Sequence, residues 1–370
     1  LRARPAASVP RAWARLDRAG CWLPGRDPRR CCRLWAADWD GTENTPACWN
    51  GADRTFAKCC GTVAMWGVAM ARCGHAPAQL HSERRCDADG YSPSALEADF
   101  AAHPVERTSN RSQLCSLLHR GVRGSWLRQV RGCEAMSDGV FSKLCRRGEP
   151  PEFLEPLAGL LRDPRMVCEG SRYVPFVDWL LLADASLVPP GARRRFFDAG
   201  GSSFLDALQF FVAEYAARGI YFDEFYVWEA RPLSVEDYWR GADPALRAYC
   251  EPRLHLFLGV EVVGARGAPD NPIARAEALC RTTDFCVLKL DIDRPGLETA
   301  LVGHLVEAVG RRGAFVDEFF FEHHVLGPME QFGWLGTWES SGEKSAETYA
   351  DSYALFTALR RLGIRAHSWI

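Results

Sequence analysis

The sequence predicts an α/β protein with a mainly parallel sheet in its C-terminal part, preceded by a disulfide-rich, mostly helical N-terminal domain. Three observations lead there. Beyond residue 150, apolar strand-length segments alternate with helical patterns, the order that builds a parallel sheet covered by helices on both faces. Eleven of the 15 cysteines lie between Cys21 and Cys145. Charge divides at the same place: Lys and Arg outnumber Asp and Glu 23 to 15 up to residue 150 and are outnumbered 22 to 32 after it. At 370 residues, 47% of them hydrophobic, the chain is long enough for two such units, residues 1–150 and 151–370.

The first unit contains a duplicated motif, "CWLPGRDPRRCC" (21–32) and "CWNGADRTFAKCC" (48–60), each running from Cys-Trp through a Gly-containing loop to Cys-Cys. No C-x-x-C pair occurs, and the adjacent pairs Cys31-Cys32 and Cys59-Cys60 suit a zinc tetrahedron poorly, so the thiols are expected in disulfides. Disulfides persist in an oxidising setting, which points to the secretory-pathway lumen or the cell exterior. The sequon Asn110-Arg111-Ser112 agrees with a glycoprotein. An odd count of 11 requires at least one of these thiols to be free, to bridge to a downstream Cys or to pair with another chain. Trp22 and Trp49 are expected to fill a small core, the alternative being stacking on sugars. "GTVAMWGVAMARCG" (61–74) and "SQLCSLLHRGVRGSWLRQV" (112–130) carry helical spacing. A mild basic excess without a stripe of Lys and aromatics gives no reason to expect nucleic acid. No run of about 18 apolar residues occurs, so no membrane span is expected in the chain, and what precedes Leu1 is left open.

"RRGEPPEFLEP" combines charge, Gly and Pro without periodicity and is expected to link the two units. Next, "RRFFDAGG" is a strand and turn, followed by the helix "LDALQFFVAEYAARG", whose Leu208, Phe211, Val212 and Tyr215 share a face and whose C-cap is Gly219. "IYFDEFYVWEA", "RLHLFLGVEVVGA" and "DFCVLKLDID" are strands, the last leading into the helix "LETALVGHLVEAVG". "AFVDEFFFEHHV" is a strand, and the chain closes with the helix "SAETYADSYALFTALRRLG" and the strand "IRAHSWI". Cys250, Cys280 and Cys286 have no base at nucleophile spacing and are expected to be buried thiols.

In such a sheet, ligands bind beyond the C-terminal strand ends near the switch point. The turn after the first strand is expected to lie there: Gly200 and Gly201 to let the backbone approach a ligand, Ser202 and Ser203 to cap the helix, and Asp198 to accept from the ligand. The turn is not G-x-G-x-x-G, and an acid there is the wrong sign for phosphate. S-adenosylmethionine, with an ammonium and a ribose, suits it better. Glu229, ending the second strand, is placed to accept from ribose hydroxyls. In "KLDID", Lys289, Asp291 and Asp293 lie two residues apart and are expected on one strand face at the crevice. There Asp291 and Asp293 could take a hydroxyl proton or, with Glu322 and a neighbouring His, hold a divalent cation. Glu322 and His324 share a face that His323 does not, so His324 is the expected site histidine. "WESSGEK" (338–344) is a polar loop suited to substrate contact or to plain connection.

Residues 284–298, "DFCVLKLDIDRPGLE", followed by "FFFEHHV", resemble the FkbM-type S-adenosylmethionine-dependent methyltransferases. Their fourth strand carries K-[IL]-D-[VI]-[ED]-G-x-E, and their fifth ends in an E-x-H-like segment. Lys289 to Asp293 follow that order, while Arg294-Pro295 moves Gly296 and Glu298 two residues further on. The resemblance covers about residues 190–370. It implies a Rossmann-like class I methyltransferase fold and methyl transfer from S-adenosylmethionine to an oxygen nucleophile such as a sugar hydroxyl. Asp198, Gly200, Gly201, Ser202 and Glu229 would then hold the cofactor, and Asp291, Asp293, Lys289 and His324 would face the acceptor. Two alternatives remain: a methyltransferase-like domain without catalysis in a glycan-binding or structural protein, and a metal-dependent glycosyltransferase using Asp291-Ile292-Asp293 as its D-x-D.

Overall fold

The computed structural model describes residues 86–102, 139, 141–149, 151–157, 180–183, 185–325 and 345–369. Both Cys-Trp to Cys-Cys segments, the sequon, the helices expected over 61–74 and 112–130 and the loop at 338–344 lie outside these residues.

Apolar strand sequences and capped helices alternate along most of the described chain. Strand β1 (Gly90–Ser92) and helix α1 (Ala95–Ala102) precede β2 (Ser142–Cys145) and β3 (Glu152–Leu154). The large sheet begins with β4 (Arg194–Ala199) and continues with α2 (Gln209–Ala217), β5 (Glu224–Glu229), α3 (Val235–Tyr238), α4 (Pro244–Cys250) and β6 (Leu254–Leu258). It closes with α5 (Pro272–Leu279), β7 (Phe285–Leu290), α6 (Pro295–Arg312), β8 (Glu318–Phe321), α7 (Tyr349–Arg361) and β9 (Arg365–Ser368). Helix starts follow local chemistry. Asp243 and Asn271 cap α4 and α5 ahead of a proline, and Thr348 with Asp351 forms a capping box on α7.

Six strands, all parallel, pair in the order β6-β5-β4-β7-β8-β9. Numbered from β4, this is 3-2-1-4-5-6, the doubly wound Rossmann order, with its switch point between β4 and β7. The α/β expectation therefore holds for this part of the chain. Helices cover both faces, which is why β7, β8 and β9 are buried throughout, β4 and β5 at every position but the first, and edge strand β6 only in part. Phe211 of α2 packs as a tilted ring with its centroid 4.9 Å from that of Phe196, and 4.7 Å from those of both Phe320 and Trp369. Pairs of this kind add about 0.5–1.5 kcal/mol beyond burial. The face expected for α2 is the buried one: Leu208, Phe211, Val212 and Tyr215 are all in the core. The start of α2 differs from expectation. A π-helical turn, Phe204–Leu208, stands between Ser202-Ser203 and α2, and Leu208 occupies the N-cap position without a side-chain cap.

The segment expected to be a linker is instead structural. β3 pairs antiparallel with β2, and β2 with β1, in a three-stranded sheet. Two of its three glutamates, Glu152 and Glu155, are buried against cations from the far end of the chain. Glu152 accepts from Arg365 (2.8 Å), and Glu155 from Arg360 (2.9 Å) and His367 (2.7 Å). His367 also reaches Glu318 at 2.8 Å, and Glu318 accepts from Tyr215 (2.7 Å) and the backbone N–H of Ala183 (3.0 Å). Burial opposes ionisation of Glu155 and Glu318, yet His367 and the arginines hold both carboxyls below their ordinary range.

Two disulfides occur among the described residues, Cys86–Cys145 and Cys280–Cys286. The second corrects the expectation of buried thiols at Cys280 and Cys286: the turn between α5 and β7 brings their Cα atoms to 6.4 Å. Asp284 ties that turn by accepting from Arg281 N–H (3.1 Å) and Arg195 (3.1 Å). Cys250 is a buried free thiol, as expected, and burial pushes it far up. Disulfides accord with an oxidising compartment. Among the described residues no helix is long and apolar enough to cross a membrane.

Candidate functional site

Three strands of the sheet, β4, β7 and β8, deliver ionisable groups to their C-terminal ends, two of them flanking the switch point. The first group centres on a buried lysine. Lys289, paired across from Asp198 in the β4–β7 ladder, sets its Nζ 3.2 Å from Asp198 Oδ1, 3.0 Å from Asp291 Oδ2 and 3.4 Å from the Gly200 carbonyl. Burial works against the ammonium, but the two carboxylates outweigh it and hold Lys289 protonated well above its ordinary range. For Asp198, burial dominates and pushes the carboxyl up against the pull of Lys289. Asp291 is opposed by burial too, but Lys289 and a hydrogen bond with Glu322 hold it below its ordinary range.

This arrangement changes what was expected of the turn after β4. Asp198 is fully buried, so its carboxylate faces Lys289 and not a ligand. Gly200 has φ +93°, and a Cβ there would lie 1.5 Å from the Asp291 carbonyl oxygen. A Cβ on Gly201 would meet Val227 Cγ1 at 2.4 Å and Asp198 Oδ2 at 3.0 Å. Both backbone N–H groups donate to the Trp228 carbonyl at 3.0 Å. The glycines thus allow close approach to the protein's own β5 and the loop after β7. Glu229 lies at the end of β5 as expected, nearly buried, with Oε1 accepting from the backbone N–H (2.7 Å) and Nε (3.1 Å) of Arg231.

The second group sits where β7 and β8 end. Asp291 and Asp293 do not share a strand face, because β7 stops at Leu290 and both lie in the loop that follows. Asp291 turns towards Lys289. Asp293 adopts φ 56°, the left-handed region that Asp tolerates better than most residues, and turns towards His324. His324 and Glu322 follow β8, and the ligand-capable atoms of Asp293, Glu322 and His324 all lie within 4.8 Å of one another. His324 Nε2 is 3.5 Å from Asp293 Oδ1 and 4.0 Å from Glu322 Oε2, and its Nδ1 is 3.0 Å from Glu298 Oε2. Burial opposes a charged ring, yet hydrogen bonds with Asp293 and Glu298 raise His324 to about 10.

The start of α6 places Glu298. Pro295 is the first residue of α6, and Glu298 falls in its first turn, fully buried, where Oε1 accepts from Ile292 N–H at 2.9 Å while Oε2 meets His324. Sequence reasoning gave Glu298 no role of its own in the site. An acid in the first turn just after a Pro at N1 was the available signal, and it read equally as a helix-end preference. His323 points the other way, with Nδ1 2.8 Å from Ser352 Oγ and Nε2 2.5 Å from Glu347.

Strand order, switch point and this cluster define the class: a Rossmann-like α/β protein with an Asp/Glu/His centre at the C-terminal edge of its sheet. Comparison of the chain with protein-family models, curated proteins and solved structures found no match.

Proposed function

We propose that the chain is an S-adenosylmethionine-dependent O-methyltransferase acting on a hydroxyl acceptor such as a sugar. The observation that carries this reading is the convergence of Asp293, Glu322 and His324 with the Lys289–Asp291 pair at the crevice beside the switch point, where a doubly wound sheet binds ligands. In this reading the cofactor lies over the ends of β4 and β5, with Glu229 turned to the ribose and the Gly200-Gly201-Ser202 turn forming its floor. The acceptor hydroxyl attacks the sulfonium methyl carbon. The C–S bond breaks with its electron pair going to sulfur, and the hydroxyl proton passes to a carboxylate. Asp293 suits that task, because its side chain is 46% exposed, whereas Lys289 holds Asp291 in its ionised form as a fixed partner. Alignment of the two reacting atoms supplies much of the rate.

A second reading has its own observation: the turn's amides and Cβ space are spent on the protein itself, which favours a domain that keeps the fold without catalysis and binds glycans or another partner. The glycosyltransferase alternative is less favoured, since Asp291 is engaged by Lys289 and does not pair with Asp293 as a D-x-D would. Calorimetric titration of oxidised full-length protein with S-adenosylmethionine and S-adenosylhomocysteine separates the first two. Glu229→Gln is the matched variant, because Asp198 is too deeply buried for its replacement to report on a ligand. Binding that Glu229→Gln weakens by about tenfold, about 1.4 kcal/mol, is the expected result. No binding by the unaltered protein would overturn methyl transfer and leave the binding domain.

A further inference from the structure

We infer that Asp293, Glu322 and His324 bind one divalent first-row metal ion, with Glu298 as the residue that positions His324 for it. The inference does not rest on methyl transfer. Two ligands of one ion, each about 2.0–2.2 Å from it, stand at most about 4.4 Å apart. Nε2 of His324 lies 3.5 Å from Asp293 Oδ1 and 4.0 Å from Glu322 Oε2, inside that limit.

The other side of the ring supplies a separate observation. Metal-binding histidines hand their second nitrogen to a carboxylate or carbonyl, which fixes tautomer and orientation. Glu298 does this at 3.0 Å from the first turn of α6, anchored in turn by Ile292 N–H. It comes from a different element than the three ligands. Charge points the same way: the carboxyl groups of Asp291, Asp293, Glu298 and Glu322 gather around Lys289 and His324, more acids than cations, and a dication offsets the difference. The cation takes the place of the Nε2 proton. One imidazole and two carboxylates suit a first-row ion such as Mn²⁺ or Zn²⁺ more than Ca²⁺, which takes six to eight oxygens. Among the described residues no other Asp/Glu/His/Cys trio converges in this way.

The test uses oxidised full-length protein, stripped with chelator and titrated with Mn²⁺ alone, with bound ion read by electron paramagnetic resonance. Asp293→Asn removes the ligand charge while Asn tolerates the left-handed backbone at that position. We expect one Mn²⁺ per chain, a loss of at least tenfold in affinity for Asp293→Asn, and a loss of about 10- to 100-fold for Glu298→Gln. Glu347→Gln, which alters the partner of His323, should bind as the unaltered protein does. The inference is overturned by absence of stoichiometric Mn²⁺ binding, by undiminished affinity in Asp293→Asn or Glu298→Gln, or by equal losses in Glu347→Gln. S-adenosylmethionine is absent throughout, so the outcome is independent of the cofactor titration.

Discussion

Replacing Gly200 with Ala tests whether the turn after β4 is built for the protein or for a ligand. The added Cβ would sit 1.5 Å from the Asp291 carbonyl oxygen and 2.6 Å from its carbon. Both are backbone atoms, and Asp291 is tied to β4 by its N–H donating to the Ala199 carbonyl at 3.0 Å, so relief requires separating the ends of β4 and β7. Left-handed backbone costs an L-residue about 1–2 kcal/mol, and overpacking a tight site about 1–3 kcal/mol. The sum predicts a loss of roughly 2–5 kcal/mol. Urea denaturation of oxidised protein measures it, with Gly303→Ala as the control. Gly303 lies inside α6 with nothing within 4 Å of an added Cβ, and Ala there should gain about 0.5–1 kcal/mol. If Gly200→Ala unfolds within about 0.5 kcal/mol of the unaltered protein, the turn is not pressed against the β7 loop. The Cβ space would then be open for a ligand.

Two further outcomes follow from the fold. Cys86–Cys145 closes a separation of 59 residues and Cys280–Cys286 one of 6, so loop-closure entropy predicts losses of about 4 and about 2 kcal/mol when each pair is replaced by Ser. Equal losses in calorimetric or urea unfolding would count against an entropic origin. Asp317 accepts from Cys286 N–H at 2.8 Å, while burial raises its carboxyl to about 7. Because the folded state then holds the proton more tightly than the unfolded chain, this group's contribution falls as pH rises from about 4 to about 7. Asp317→Asn keeps the acceptor and removes the titration. Its unfolding midpoint should exceed that of the unaltered protein at pH 8 by an amount worth about 4 kcal/mol, and the gain should vanish near pH 4. A gain independent of pH would show that ionisation of Asp317 is not its source.

Much of the sheet was legible because its signals are local. Parallel strands buried on both faces need continuous apolar runs, and "FFDA", "FYVW", "CVLKL" and "EFFF" supply them. Period-two alternation likewise favoured His324 over His323, and although β8 ends at Phe321 the two side chains do take different partners. Asp293, Glu322 and His324 were legible as candidates for the same reason: polar residues directly after such runs fall at the sheet edge. Their grouping was not, because β7 ends one residue before the pair Asp291 and Asp293, and the loop sends one inward to Lys289 and the other to His324.

Composition and pattern alone therefore determined the class of sheet, the positions of its strands and the edge at which chemistry gathers, all consequences of short-range periodicity. Partnership over long separations was decided only by the tertiary structure. Glu152 and Glu155 look solvated in a charged, Pro-containing segment and become core residues because Arg365, Arg360 and His367 arrive from more than 200 positions away. Asp198 looks like a ligand group until the neighbouring strand brings Lys289 against it. Gly200 and Gly201 look like a cradle until Asp291 and Val227 fill the space. In each case a charge or a glycine has several acceptable surroundings, and only the packed fold selects among them through the cost of leaving buried polar groups unmatched.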